Sequence, residues 1–244
     1  MFKKLVLKIF NLKNIFFYFL KKLSFLIIKK RKFNDQLSIN LNYNWIDYPT
    51  RTELIQSLIE KNNYKSYLEI GCDHNQNFSK IKIKDKVGVD PIRGGTYRGS
   101  SNEFFKHNQT NFDIIFIDGL HTKEQVLIDI KNSLEFLNND GIIVIHDCIP
   151  TTFLQQYIPR VQSSWTGTVW KAIISVRQKY DLDTATIIAD HGIGMIINRK
   201  NTNQLSKLDS DGITFQNFAT NHKEWLNCIE YDEYENWIAK KSSN

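Results

Sequence analysis

Apolar and polar positions change rhythm several times along the chain, and each change marks an element. After Pro49, Leu54, Ile55, Leu58 and Ile59 recur at helical spacing, and Thr50 with Glu53 has capping-box spacing, which predicts an amphipathic helix over Thr50 to Lys61. SYLEI (Ser66 to Ile70) is a short apolar run stopped by Gly71; KVGVD ends at Asp90 and FDIIFID at Asp118. Such runs read as buried strands. Thr122 and Gln125 repeat the capping-box spacing and open a helix with apolar positions Val126, Leu127, Ile130, Leu134 and Leu137. NNDG then turns the chain, and IIVIHD predicts a strand ending at Asp147. Apolar strands alternating with helices imply an α/β fold, a mainly parallel sheet with helices on both faces.

Glu69 with Gly71, Asp90, Asp118 and Asp147 share one feature, a place at or just beyond the carboxyl edge of a strand. A carboxylate is costly inside a buried strand and tolerable where the strand exits into a cleft. That edge is where open α/β sheets bind ligands. His121 lies three residues beyond Asp118, beside the helix that Thr122 begins. The helix N-terminus disfavours a protonated ring while Asp118 and Asp147 favour it, so the ring is expected to titrate near neutrality, as a general base for a hydroxyl requires. His146, next to Asp147 on the same strand, is expected to point away from it and to matter for packing.

Charge divides the chain. Of 32 Lys and Arg, ten fall in residues 1–32, where there is no acid, so the rest holds 22 bases against 26 acids. A mildly acidic body argues against a nucleic-acid partner. In the tail, Lys8, Lys13, Lys21 and Lys22 interrupt every window long enough to span a bilayer. On a helical wheel Lys3, Lys4, Lys8, Lys21, Lys22 and Lys29 share one half and Leu5, Val6, Ile9, Leu12, Phe16 and Leu20 the other, with Lys13 and Leu7 out of place. The expectation is a basic amphipathic tail (1–32) touching an anionic membrane surface, a polar Asn-rich linker (33–46), a catalytic domain (47–200) and a helical extension (201–244). Cys72, Cys148 and Cys228 show no C-x-x-C spacing, which suits a reducing cytosol, with a peripheral position on the inner membrane face.

Taken in order, YLEIG, VGVDP, GSSNEFF, FIDGLHTKEQVLIDI, GIIVIHDC, WTGTVWKAI and DHGIGMII resemble the class I S-adenosylmethionine-dependent methyltransferases, in particular small bacterial members with IDG.H followed by HD. The resemblance covers about Trp45 to Arg199 and implies a Rossmann-like sheet with a C-terminal antiparallel hairpin. It implies S-adenosyl-L-methionine held by Glu69, which organises the loop, Gly71, which lets backbone approach, Asp90 on the ribose hydroxyls, and Ser101 and Asn102 at the adenine, with Asp118 beside them. The later glycines of the family's E-x-G-x-G-x-G pattern are replaced by Asp73 and Asn75, residues that tolerate a left-handed backbone.

The same resemblance implies methyl transfer with His121 and Asp118 catalytic, to a hydroxylated small molecule or a surface-glycan sugar. Catechol-type relatives hold a divalent cation such as Mg2+, and Asp118 and Asp147 match two of its ligands, while Cys148 stands where a third, an Asn, is expected. Trp165 and Trp170 read equally as core or as acceptor-pocket wall. His74, His107 and His222 are expected on the surface or in loops. The alternative function is a non-catalytic Rossmann-like scaffold at the membrane.

Overall fold

The computed structural model describes residues 34–240; the basic tail expected over 1–32 lies outside them. In chain order the elements are α1 (Asn34–Leu37), α2 (Arg51–Asn62), β1 (Ser66–Ile70), β2 (Asp85–Asp90), β3 (Tyr97–Arg98), α3 (Ser101–His107), β4 (Phe112–Ile117), α4 (Lys123–Glu135), β5 (Leu137–Ile145), α5 (Phe153–Gln156), α6 (Val169–Lys179), β6 (Asp183–Ile187), β7 (Ile193–Ile197), α7 (Phe215–Trp225), β8 (Cys228–Ile229) and α8 (Tyr234–Ala239). Among the described residues one sheet runs β3-β2-β1-β4-β5-β7-β6-β8. Pairings from β3 through β5 are parallel; β7 lies antiparallel between β5 and β6, which is the expected hairpin. The order reverses at β1 and β4, and this switch point is where a crevice opens at the carboxyl edge.

Strand alternation builds the core twice. Leu68, Ile70, Ile115, Ile117, Ile143 and Ile145 face Val126 and Ile130 of α4, the apolar side of α6 and Phe218 of α7. Tyr67, Ile114, Phe116, Ile142 and Val144 face Leu54, Ile55 and Leu58 of α2 and Trp237 of α8. Both faces are covered, which is why the strands read as near-continuous apolar runs. Helix α2 begins with the expected capping box, Thr50 and Glu53 each bonding the other's backbone N–H.

Four expectations change. NNDG does not turn the chain: β5 already starts at Leu137, paired with Phe112, and a register shift carries it to the Ile142–Ile114 pair. The α4 box is half formed, since Thr122 accepts from the Gln125 N–H while the Gln125 amide turns to Ser101, Asn102 and Asp129. The linker is a strap: Leu37, Ile39, Leu41, Tyr43 and Trp45 pack on the core, and the Leu41 N–H donates to the Thr151 carbonyl at 3.0 Å. Residues beyond 200 are part of the fold, because β8 extends the sheet beside β6 and Phe215, Phe218 and Trp225 join the core. Arg177, almost fully buried, donates to the Trp225 carbonyl at 2.9 Å, and Arg199 ties Asp183 to the Trp237, Ile238 and Lys240 carbonyls.

Candidate active site

At the switch point a cavity of about 420 Å³ opens between the ends of β1, β2 and β4, lined by Gly71, Asp73, Asp90, Ser101, Asn102, Asp118 and Gln125 among others. This is the size of a small-molecule site. Gly71 has φ +91°, and a Cβ there would lie 2.2 Å from the Asp118 carbonyl oxygen, so only glycine lets the β1 and β4 exits pass this close. Asp73 and Asn75, at the replaced glycine positions, do adopt positive φ, 41° and 60°.

Asp90 sits at the end of β2 with Oδ1 accepting the Ile92 and Arg93 N–H groups at 2.8 and 2.9 Å and Oδ2 accepting the Asp73 N–H at 2.9 Å. Burial alone would raise its pKa, but these three donors lower it below the usual range. A carboxylate has about four lone-pair sites, so about one remains on Oδ2 for a ligand hydroxyl. Ser101 and Asn102, in the first turn of α3, meet the Gln125 amide across the cavity at 3.3 Å each. Glu69 does not line the cavity. It is buried on the α2 side, accepting from Tyr67 and, at 2.8 Å, from Asn77, and burial raises its pKa to about 7 against those bonds. Its link to the loop after β1 runs through Asn77.

Beside the cavity lies a dense charged cluster. Asp118 Oδ1 is 3.2 Å from His121 Nε2 and 3.3 Å from His146 Nδ1, while Oδ2 faces Arg51 Nε at 3.7 Å. Asp147 Oδ2 lies 3.2 Å from His121 Nδ1, and Asp190 Oδ2 lies 3.2 Å from Arg51 Nη1. Burial would raise the Asp118 pKa, but His146 and His121 hold it well below the carboxylate range. Burial likewise lowers His121, yet Asp118 and Asp147 outweigh it and raise the ring's proton affinity. Its Nδ1 also faces the Trp165 carbonyl at 3.1 Å, an acceptor only, so that nitrogen carries a proton. The acids outweigh burial, and the ring is raised above its ordinary value.

His146 is not a bystander. Strand β5 ends at Ile145, so strict alternation no longer applies, and Asp147 takes a left-handed φ of 63° that turns both side chains into the cluster. Against the cost of burial, Asp147, Asp118 and Asp190 raise His146 to about 10. Arg51 Nη1, 3.1 Å from Nε2, opposes this, but one guanidinium is outnumbered by three carboxylates.

Of the other expected residues, Trp165 stacks on His121 with centroids 5.5 Å apart and planes at 16°, whereas Trp170 is core against Phe218. His222 is buried on α7 and bonds Tyr43 at 2.8 Å rather than lying on the surface. Arg51 and Asp190 escaped the sequence reading. The available signals were the residue after the Thr50 cap and the aspartate of DHGIGMII.

The ligand atoms of Asp118, His121 and Asp147 lie within 4.8 Å of one another, close enough to share an ion. A hard dication binds through oxygens, and here an imidazole, a nitrogen donor, stands between two carboxylates. The Cys148 sulfur is fully buried and turned to the Ile145 carbonyl, so it supplies no ligand. Both Asp118 oxygens already face cationic or ring N–H partners. The donor set does not fit a magnesium-type centre.

Residues 54–148 match a family described as a methyltransferase domain. No curated protein matches the chain. Among solved structures it is similar to the O-methyltransferase TomG from Streptomyces achromogenes in complex with S-adenosylmethionine, at 12% identity over 60% of this chain and 78% of that one, TM-score 0.48. It is also similar to cofactor-bound Rv0187 from MTB, at 14% identity over 64% and 85%, TM-score 0.49. A third is an O-methyltransferase from Bacillus cereus, at 11% over 62% and 81%, TM-score 0.45. The stretch 54–148, whose span holds the cavity and most of its acidic strand ends, is thus similar to a methyltransferase domain.

Proposed function

We propose that the chain is an O-methyltransferase acting on a hydroxyl of a small molecule or of a surface-glycan sugar. The observation that carries this reading is the shared carboxylate: Asp118 lines the cavity with Gly71 and Asp90 and bonds His121 beside it. Bound S-adenosylmethionine supplies a methyl group on a sulfonium, so the acceptor oxygen forms the C–O bond while the C–S bond breaks and its electron pair goes to sulfur. What the residues supply is orientation and a destination for the hydroxyl proton. The His121–Asp118 pair, once it has lost its own shared proton, takes the hydroxyl proton, and the carboxylate that raises the ring's proton affinity makes the pair a stronger base. Trp165, stacked on that ring, and the exposed Leu120 at the cavity rim give an acceptor apolar surface to rest on.

For the cofactor, Asp90 keeps a lone pair for a ribose hydroxyl, Ser101 and Asn102 stand at the adenine side, and Gly71 and the Glu69–Asn77 pair support the loop. The divalent cation has one favourable observation, the 4.8 Å grouping of Asp118, His121 and Asp147, and the reading does not require it. Residues 47–200 are assigned the catalytic role, and 1–32 contact with an anionic membrane from the cytoplasmic side, on sequence pattern alone. Incubation with methyl-labelled S-adenosylmethionine and a panel of hydroxylated small molecules and glycans, analysed by mass, should show one acceptor class gaining a methyl. Label found only on thiols or amines would contradict O-methylation.

A further inference from the structure

The cation of this site belongs to the chain. Arg51 is the first residue of α2, fixed by the Thr50–Glu53 capping box, and its backbone N–H donates to Asp190 Oδ2 at 2.8 Å. Its side chain, 26% exposed, then runs along the cluster. Nη1 lies 3.2 Å from Asp190 Oδ2 and 3.1 Å from His146 Nε2, and Nε lies 3.7 Å from Asp118 Oδ2. Asp118 Oδ1 is taken by His121 and His146, so Arg51 faces the one oxygen of that carboxylate which the rings leave open.

We propose that Arg51 is a positioning residue that stands in the electrostatic place of a divalent cation, bridging Asp118 and Asp190 and making the site independent of metal. Three carboxylates converge here, His146 can neutralise one of them when protonated, and without Arg51 the others would repel one another and draw protons. A guanidinium suits the task, being permanently charged, planar and able to bond two carboxylates at once. It also excludes a competitor, because an ion entering between Asp118 and Asp147 would meet its positive charge at short range. The inference concerns the site of the proposed reaction, but its test reads metal binding and so fails or succeeds without an acceptor.

The test uses the full chain, stripped with chelator, and Mn2+ as the probe, followed by calorimetry and by the spin-resonance signal of the free ion. The unsubstituted protein should show no saturable binding below about 1 mM, while Arg51→Ala should bind at least about tenfold more tightly. Asp118→Asn added to Arg51→Ala should abolish the gain. Arg51→Lys, which keeps the charge, should stay blind to the metal. A shift in melting temperature with S-adenosylhomocysteine checks that each variant is folded, and Arg51→Gln replaces Arg51→Ala where that variant is not. Micromolar Mn2+ binding by the unsubstituted protein that is lost in Asp118→Asn would overturn the proposal. So would an Arg51→Ala variant no better at binding than the parent, or an Arg51→Lys variant that binds as Arg51→Ala does.

Discussion

At the scale of residues, the proposed chemistry rests on how Asp118 divides its two oxygens, one toward the rings of His121 and His146 and one toward Arg51. His121→Ala should lower turnover by about 10²- to 10⁴-fold, the range for losing a positioned base, with cofactor affinity nearly unchanged. Because the acids raise His121 above its ordinary 6.5, turnover of the parent should climb with pH through a pKa above that value. A flat steady-state profile from pH 6 to 9 would exclude the imidazole. Stability carries the opposite signature. Asp118 is depressed, so its contribution is present above the ordinary carboxylate range and lost as pH falls. His146 is raised to about 10, so its contribution is complete below its unfolded pKa and fades as pH rises toward that value. Thermal melts should therefore fall on the alkaline side, and His146→Gln should flatten that fall while lowering the midpoint at neutral pH.

At the scale of elements, the strands were legible because each is buried on both faces and shows as an apolar run with a sharp end. Glu69, Asp90, Asp118 and Asp147 were legible as carboxyl-edge residues for the same reason. Arg51, His146 and Asp190 were not, since an ion-pair cluster joins residues from three distant segments and leaves no periodicity to read. Nor could spacing alone reveal that Gln125 abandons its capping box for Ser101 and Asn102, which is a tertiary choice. The C-terminal elements read as an appendage because β8 is two residues long and α7 is polar outward. In the fold they close an edge of the sheet and cover both faces, held by Arg177 and Arg199. Ending the chain after residue 200 should therefore cost more than one large core truncation, about 2 to 5 kcal/mol, and yield a protein without a cooperative melt. A truncated chain that melts like the parent would restore the appendage reading.

For the molecule as a whole, the described residues hold no helix long and apolar enough to cross a membrane. The strap after the basic tail packs against α5 and the loop holding Thr151, on the carboxyl side of the sheet, which brings the start of the described chain to the edge that bears the cleft. Removing residues 1–32 should release the protein from anionic vesicles in a flotation assay and leave cofactor affinity intact. Full-length protein that ignores such vesicles would end the membrane assignment. The central claim, that the cavity between β1, β2 and β4 takes S-adenosylmethionine, is tested most directly by calorimetric titration of the full chain and of Asp90→Ala with that cofactor. The account predicts one saturable site in the parent and a loss of about 1.5 to 3 kcal/mol in the variant, the scale for hydrogen bonds to a charged group. No saturable heat in the parent, or equal affinity in the two proteins, would contradict it.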